Sequence, residues 1–202
     1  MLFESIRHSP LLILEEIWRQ LAEAAIQRQS PWRLPVLSTA GEIGPEARIV
    51  VLRAVDPGQR QLIAHIDARS PKVTQLQATP HAVWTFFQPG EAIQLRVKTL
   101  VQLHFDDEFA EEQWRLTPGS SRKSYLSTLA PGSPLPGPVS TLPEEYRSRA
   151  LSEAELGQGR AHFCVVVGEV REFDWYDLNP HGHLRLRFTW HEGRFLPQWI
   201  AP

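Results

Sequence analysis

The sequence predicts a mainly β protein, an antiparallel barrel with helical insertions. Three observations point there. About seven or eight short runs have strand character. Most connections between them are of hairpin length and carry glycine and proline. The helical patterns punctuate the strands instead of alternating with them, which argues against a doubly wound parallel sheet. The chain of 202 residues suits one domain, taken as residues 1–202.

Each element has its own local reason. Ser9-Pro10 places a capping residue before a proline at the first helical position. Leu14, Ile17, Leu21 and Ala24 follow at helical spacing, predicting a helix over about 10–29 that covers one side of a core. "RLPVLSTA" and "ARIVVLRAV" flank the turn "GEIGP". The turn "DPGQ" and the run "QLIAHI" then predict a hairpin from about Ala47 to Ile66. Ser70-Pro71 repeats the helix-start signature, and Pro80 stops that helix. "HAVWTFFQ" and "AIQLRVKTLVQLHF" flank "PGE" as a second hairpin. "DDEFAEEQWRL" is a helix with acids in its first turn, where the dipole favours them. Residues 131–143 are too rich in proline and glycine for regular structure, and such a long loop is expected to be functional or mobile. "EEYRSRALSEAEL" is expected to be one polar helix, and three further β runs complete the chain.

Composition narrows the function. Twenty-one basic and 23 acidic residues give a net charge of −2, without the basic excess of a general nucleic-acid binder. Any anion site must be local. The one cysteine, Cys164, excludes an intrachain disulfide and sits in the apolar "HFCVVVGEV", as a buried inert thiol would. No run reaches transmembrane length, and the N-terminus lacks signal-peptide organisation, so a cytoplasmic protein is expected. The dinucleotide and phosphate-loop glycine patterns, the serine-hydrolase elbow and the zinc motifs are all missing. "GSSRKS" has phosphate-loop composition at the wrong spacing. His181 and His183 could share a strand face as a metal pair, or occupy a solvated turn. His65 reads as a hydrogen-bonded structural histidine.

The stretch "DARSPK" (67–72) places Arg69, Ser70 and Lys72 at a helix start, where free backbone N–H groups and the dipole stabilise a phosphate. Arg48 and Arg53 lie just upstream. Their spacing of five puts them on opposite faces of a regular strand, so a bulge or a subunit boundary would be needed to bring both to one ligand. The alternative is a set of solvated cations paired with Asp67 and other acids. Gln94 and Arg96 share one strand face, as do Arg185 and Arg187, lining either a cleft or an exposed sheet.

In order, "ARIVVLR", "DARSPKVTQL", "ATPHAVWTFF", "IQLRVKT", "DWYDL", "HLRLRF" and the final "WIAP" resemble the pyridoxamine 5'-phosphate oxidase-like family of FMN-binding split barrels over roughly residues 10–202. The nearest branch is that of the shorter oxidase-related proteins. The resemblance implies a six-stranded antiparallel split β-barrel with flanking helices, usually a homodimer with FMN at the interface. It places Arg48, Ile49, Val50, Val51, His65, Ile66, Arg69, Ser70, Lys72, Gln94, Trp175 and Arg187 at the cofactor. Pro71 replaces a family arginine there, and Arg69 is expected to supply the missing cation. The resemblance places Arg53, Ser121, His183 and Arg185 at the substrate. Thr117 stands where the biosynthetic oxidase has an arginine, and the C-terminal substrate pair reads His183-Leu184-Arg185 with its two side chains exchanged. The implied activity is an FMN-dependent oxidoreduction of a small, anionic molecule, with no nucleic-acid or membrane partner. A non-catalytic flavin- or haem-binding barrel, with His65, His104, His162 or His183 as nominal haem ligands, and a cofactor-free anion-binding barrel are the rival readings.

Overall fold

In the computed structural model, which describes residues 2–202, a short helix α1 (Leu2–Ile6) precedes α2 (Pro10–Ile26). Pro10 opens α2 as expected, although the Ser9 hydroxyl makes no capping bond. The helix ends before Gln29 because Gln27 is already extended, its N–H closing on the Glu23 carbonyl, and a 3-10 turn at Pro31–Arg33 follows. Ile13, Ile17, Leu21 and Ala24 form its buried stripe, the pattern of a helix laid on a core.

The strands are β1 (Val36–Ala40), β2 (Pro45–Ile49), β3 (Leu52–Asp56), β4 (Gln61–Asp67), β5 (His81–Gln88), β6 (Ile93–His104), β7 (Phe163–Asp177), β8 (Leu184–His191) and β9 (Arg194–Trp199). The run expected as a single strand over 47–55 is broken at Val50-Val51. β2 pairs with β1, and β3 pairs with β4, so the expected hairpin begins at Leu52 instead of Ala47. The physical cause is visible at Val50, which is buried and donates its N–H to the Pro35 carbonyl, turning the chain out of the β1–β2 ladder.

The described strands form one mostly antiparallel sheet of order β2-β1-β5-β6-β7-β4-β3, with β8 and β9 continuing from β7. β7 serves two partners along one edge, β4 through Phe163–Glu169 and β8 through Glu172–Asp177, while β6 runs along its other edge. β2 and β3 stand at opposite ends of the seven-strand path yet are joined by only two residues. Three Cα–Cα steps span at most about 11 Å, so the sheet must curl until those edges approach. They do not pair, and the sheet stays open, as a split barrel does.

The remaining helices flank the sheet: α3 (Pro71–Ala78), α4 (Glu108–Leu116), α5 (Gly119–Arg122), α6 (Glu144–Arg147) and α7 (Glu153–Gly157). The expected single polar helix is therefore two short ones. Ser152 starts α7 with a capping box, its hydroxyl taking the Glu155 N–H and the Glu155 side chain taking the Ser152 N–H, which fixes a new helix start in mid-run. Trp32, Trp84, Trp175, Phe86, Phe173 and Phe188 fill the main core between α2 and the sheet. A second cluster, with Ile63, Trp114, Tyr125 and Phe163, packs α4 against β4 and β7. Cys164 is buried, and burial pushes its thiol up to about 12.

Candidate functional site

Four basic residues of the sequence constellation have different fates. Lys72 begins α3 half-buried, with its Nζ 2.9 Å from Ser70 Oγ and, among the described residues, no ion pair to a carboxylate. Burial, and then the charge of Arg48, lower its pKa. Arg48 reaches toward the same place from β2. Its guanidinium donates to Thr39 Oγ1 at 2.6 Å and to Glu46 Oε2 at 2.9 Å. Thr39 is braced in turn by Gln75 of α3 at 2.6 Å. Arg69 is spent elsewhere, forked onto Asp67 with its Nε at 3.0 Å and Nη2 at 2.7 Å. The alternative of a cation paired with Asp67 holds for Arg69. Ser70 caps nothing. Its hydroxyl donates to the Asp67 carbonyl at 2.7 Å and accepts from Lys72.

Arg53 lies at the β3 irregularity between Leu52 and Ala54. The strand register shifts there, and the break at Val50-Val51 adds a second change of direction. The Arg53 guanidinium is half-buried, and among the described residues it forms no ion pair and its buried Nε has no hydrogen-bond partner. Burial lowers its pKa. Across the β3–β4 ladder, His65 is hydrogen-bonded at both nitrogens, to Gln113 Oε1 at 3.3 Å and Thr117 Oγ1 at 3.2 Å. Burial first, and then the charge of Arg53, hold His65 down to about 4. The structural reading of this histidine is the one its contacts fit.

A third group lines the outer sheet face. Alternation and register set Gln94, Arg96 and Lys98 of β6 opposite Tyr176, Asp174 and Glu172 of β7, with Arg185 and Arg187 of β8 beyond. Asp174 is buried and receives both Arg96 and Arg185, the latter at 2.9 and 2.8 Å. Burial alone would push its carboxyl up, but the two arginines outweigh burial and hold it down. Glu172 takes Lys98 at 2.9 Å and Arg187 at 3.8 Å. Four cations thus meet two acids, leaving a local positive excess. His183 stands against the Tyr176 hydroxyl at 3.3 Å.

This donor set fits a phosphorylated, polar-edged cofactor: Lys72 is a half-buried cation with a hydroxyl beside it and, among the described residues, no carboxylate in ion-pair contact. Residues 15–105 match the family model described as the FMN-binding domain of pyridoxamine 5'-phosphate oxidase. Residues 15–105 thus carry the match to that FMN-binding domain. Its cofactor is FMN. The chain is 27% identical over 176 residues to the pyridoxine/pyridoxamine 5'-phosphate oxidase of Legionella pneumophila (strain Lens), covering 83% of this chain and 77% of that one. It shares its fold with PhzG from Burkholderia lata 383, solved in complex with tetrahydrophenazine-1-carboxylic acid (TM-score 0.73, 18% identity, 100% of this chain and 98% of that one). It also shares it with a pyridoxamine 5'-phosphate oxidase-related, FMN-binding protein from Nostoc punctiforme PCC 73102 (TM-score 0.69, 19% identity, 93% and 96%).

The matched part of this FMN-binding domain contains Arg48, His65, Ser70, Lys72 and Gln94. Ser121, Trp175, His183, Arg185 and Arg187 lie beyond it. Trp175 is corrected by the structure: it is fully buried against Phe3, with ring centroids 5.8 Å apart, on the sheet face opposite Gln94 and Arg185. Alternation along β7 gives the outer face to Asp174 and Tyr176 instead. Val50 and Ile66 are buried, Val51 is half-buried, and Ile49 is exposed. Ser121 is half-buried in α5, and its carbonyl accepts from Ser124. Sequence reasoning missed Thr39, Gln75 and Asp174, the groups that hold the arginines. Asp174 had a signal, since it alternates with Glu172 and Tyr176 in "EFDWYD".

Proposed function

We propose that the protein is an FMN-dependent oxidoreductase acting on a small anionic substrate, and that it works as a homodimer with FMN at the subunit boundary. The observation that carries this reading is the pair of half-buried cations, Lys72 and Arg53, that form no ion pair among the described residues. Lys72, with Ser70 and Arg48, receives the cofactor phosphate. Gln94 offers an amide to the polar edge of the ring system. Arg53 is the substrate cation, because its desolvated charge favours an incoming anion. When bound, FMN supplies the two-electron redox chemistry, and the protein supplies binding and orientation. Arg185 serves through the Asp174 network and keeps positive potential on the outer face.

For the haem reading, His65 is the weakest ligand candidate, since Gln113 and Thr117 engage both of its ring nitrogens; His104, His162 and His183 are each engaged at Nδ1, by Asp107, the Tyr125 carbonyl and Tyr176.

The test begins with the visible spectrum of freshly purified protein and the mass of its released cofactor. A flavin spectrum with FMN is expected, and Lys72→Ala should weaken FMN binding by about 10- to 100-fold, the worth of a charge-assisted hydrogen bond. Anaerobic mixing with pyridoxamine 5'-phosphate and with other small anionic amines and acids should reveal a donor that bleaches the flavin band. Flavin that no such donor reduces would overturn the enzymatic reading while leaving FMN binding intact.

A further inference from the structure

The loop from Ser127 to Thr141 contains no charged residue, yet it walls a cavity of about 410 Å³. Leu129, Pro131 and Leu135 of the loop face His65, Ile66 and Tyr125 of the barrel across that space. The loop is closed at its neck, where Thr128 N–H donates to the Thr141 carbonyl at 2.9 Å and the Ser127 and Thr141 hydroxyls meet at 2.7 Å. The C-terminal side of the neck is held by Arg147, whose guanidinium donates to the Leu142 and Ser140 carbonyls at 3.0 and 3.2 Å. On the barrel side the tie is Arg69. Its Nη1 donates to the Ser127 carbonyl at 3.0 Å, while Nε and Nη2 fork onto Asp67. The Asp67 carboxylate also accepts the Arg69 N–H, at 2.8 Å, and the Asp67 carbonyl accepts the Ser70 hydroxyl.

We infer that Arg69 is a positioning residue: it latches the 127–141 loop to the phosphate-binding turn, so that cofactor retention and loop closure are one event. The geometry favours this over direct phosphate binding because three of the guanidinium's donor directions are already taken by protein. A planar fork can hold a carboxylate and reach a carbonyl at once, which an ammonium on a flexible stem cannot. The same turn that presents Ser70 and Lys72 therefore fixes the neck of the loop. The consequence for FMN rests on the cofactor reading above; the latch itself does not.

Two measurements on the full-length protein as purified separate these claims. The first is the rate of proteinase K cleavage within 128–141, mapped by mass spectrometry. The second is the rate of FMN release, followed by recovery of flavin fluorescence. Arg69→Met and Arg69→Lys are both expected to speed cleavage by about tenfold, the loss of one charge-assisted hydrogen bond, and to speed FMN release to a similar degree. Thr141→Val, which removes the Ser127–Thr141 hydroxyl contact at the neck without touching Arg69, should reproduce both effects in part. Thermal unfolding of each variant checks that the barrel is intact. Faster FMN release with unchanged cleavage would overturn the latch and make Arg69 a direct phosphate donor. Unchanged cleavage and unchanged release would reduce the pair to an ordinary surface contact. Protein that carries no FMN but whose loop is loosened by the substitutions would leave the latch standing and remove only its link to the cofactor.

Discussion

At the scale of single residues, this site works by withholding partners from some charges and supplying them to others. Arg69 and Arg185 are similar in sequence terms to Lys72 and Arg53, but the former are locked onto Asp67 and Asp174, and the latter form no ion pair among the described residues. His65 shows the same control over a proton. Its pKa is about 4 in the fold against roughly 6.5 in an unfolded chain. The unfolded state therefore binds the extra proton between those values, so stability is complete above pH 6.5 and is lost as pH falls through 4. Between pH 7 and 4.5 this one group is worth about 2–3 kcal/mol. His65→Gln should flatten the fall in urea-unfolding stability over that window by about that amount relative to wild type, because the carboxylates that titrate there are common to both proteins. An unchanged pH dependence would show that His65 is not held neutral. Which cations would be spent on acids was not legible in "DARSPK", because the spacing gives Asp67 to Arg69 and Lys72 alike.

At the scale of elements, strand alternation was readable and strand continuity was not. Gln94 with Arg96, and Arg185 with Arg187, share one outer face as their spacing requires. The run 47–55 has uninterrupted β propensity, yet it splits because burial of Val50 and its bond to Pro35 turn the chain. The two halves then join opposite ends of the sheet. A local pattern carries no information about which partner lies across the ladder. The β6–β7 pairing contains another such detail, a register shift between Lys98 and Thr99. There Gly168 lies against Thr99, and an added Cβ would stand 3.0 Å from its Cβ and Oγ1. Thr99 Oγ1 accepts the buried Trp84 Nε1–H at 3.1 Å. Gly168→Val should destabilise the domain by about 1–3 kcal/mol through overpacking, measured by chemical denaturation. A smaller change for Gly168→Ala, which adds one carbon, would place the cost in the Thr99 contact and not in the backbone.

At the scale of the whole molecule, one sheet face is core and the other is a mixed surface. A single cross-strand row runs Ile49, Val36, Thr85, Arg96, Asp174, Arg187, Gln198. Ile49 at one end is 65% exposed, and Phe87 in the next row is 49% exposed. Apolar side chains beside a cation-rich ladder suit a second copy of this chain, in line with the proposed dimer. Light scattering should give a dimer for the FMN-loaded protein. Phe87→Asp should shift it toward monomer with weaker FMN retention; a monomeric wild type that keeps its flavin would overturn the shared site. No helix among the described residues is long and apolar enough to cross a membrane. The sequence by itself determined the β class, most element positions, the alternating outer face, and the ordered motifs that mark an FMN-binding domain. These follow from local propensity and side-chain period, which act over a few residues. Only the tertiary structure decided that the 47–55 run divides between two sheet edges, that Trp175 belongs to the core, and that Arg69 bonds both Asp67 and the Ser127 carbonyl. Those outcomes depend on which groups meet across the fold, and a guanidinium goes to whichever carboxylate or carbonyl the packing brings within hydrogen-bond reach.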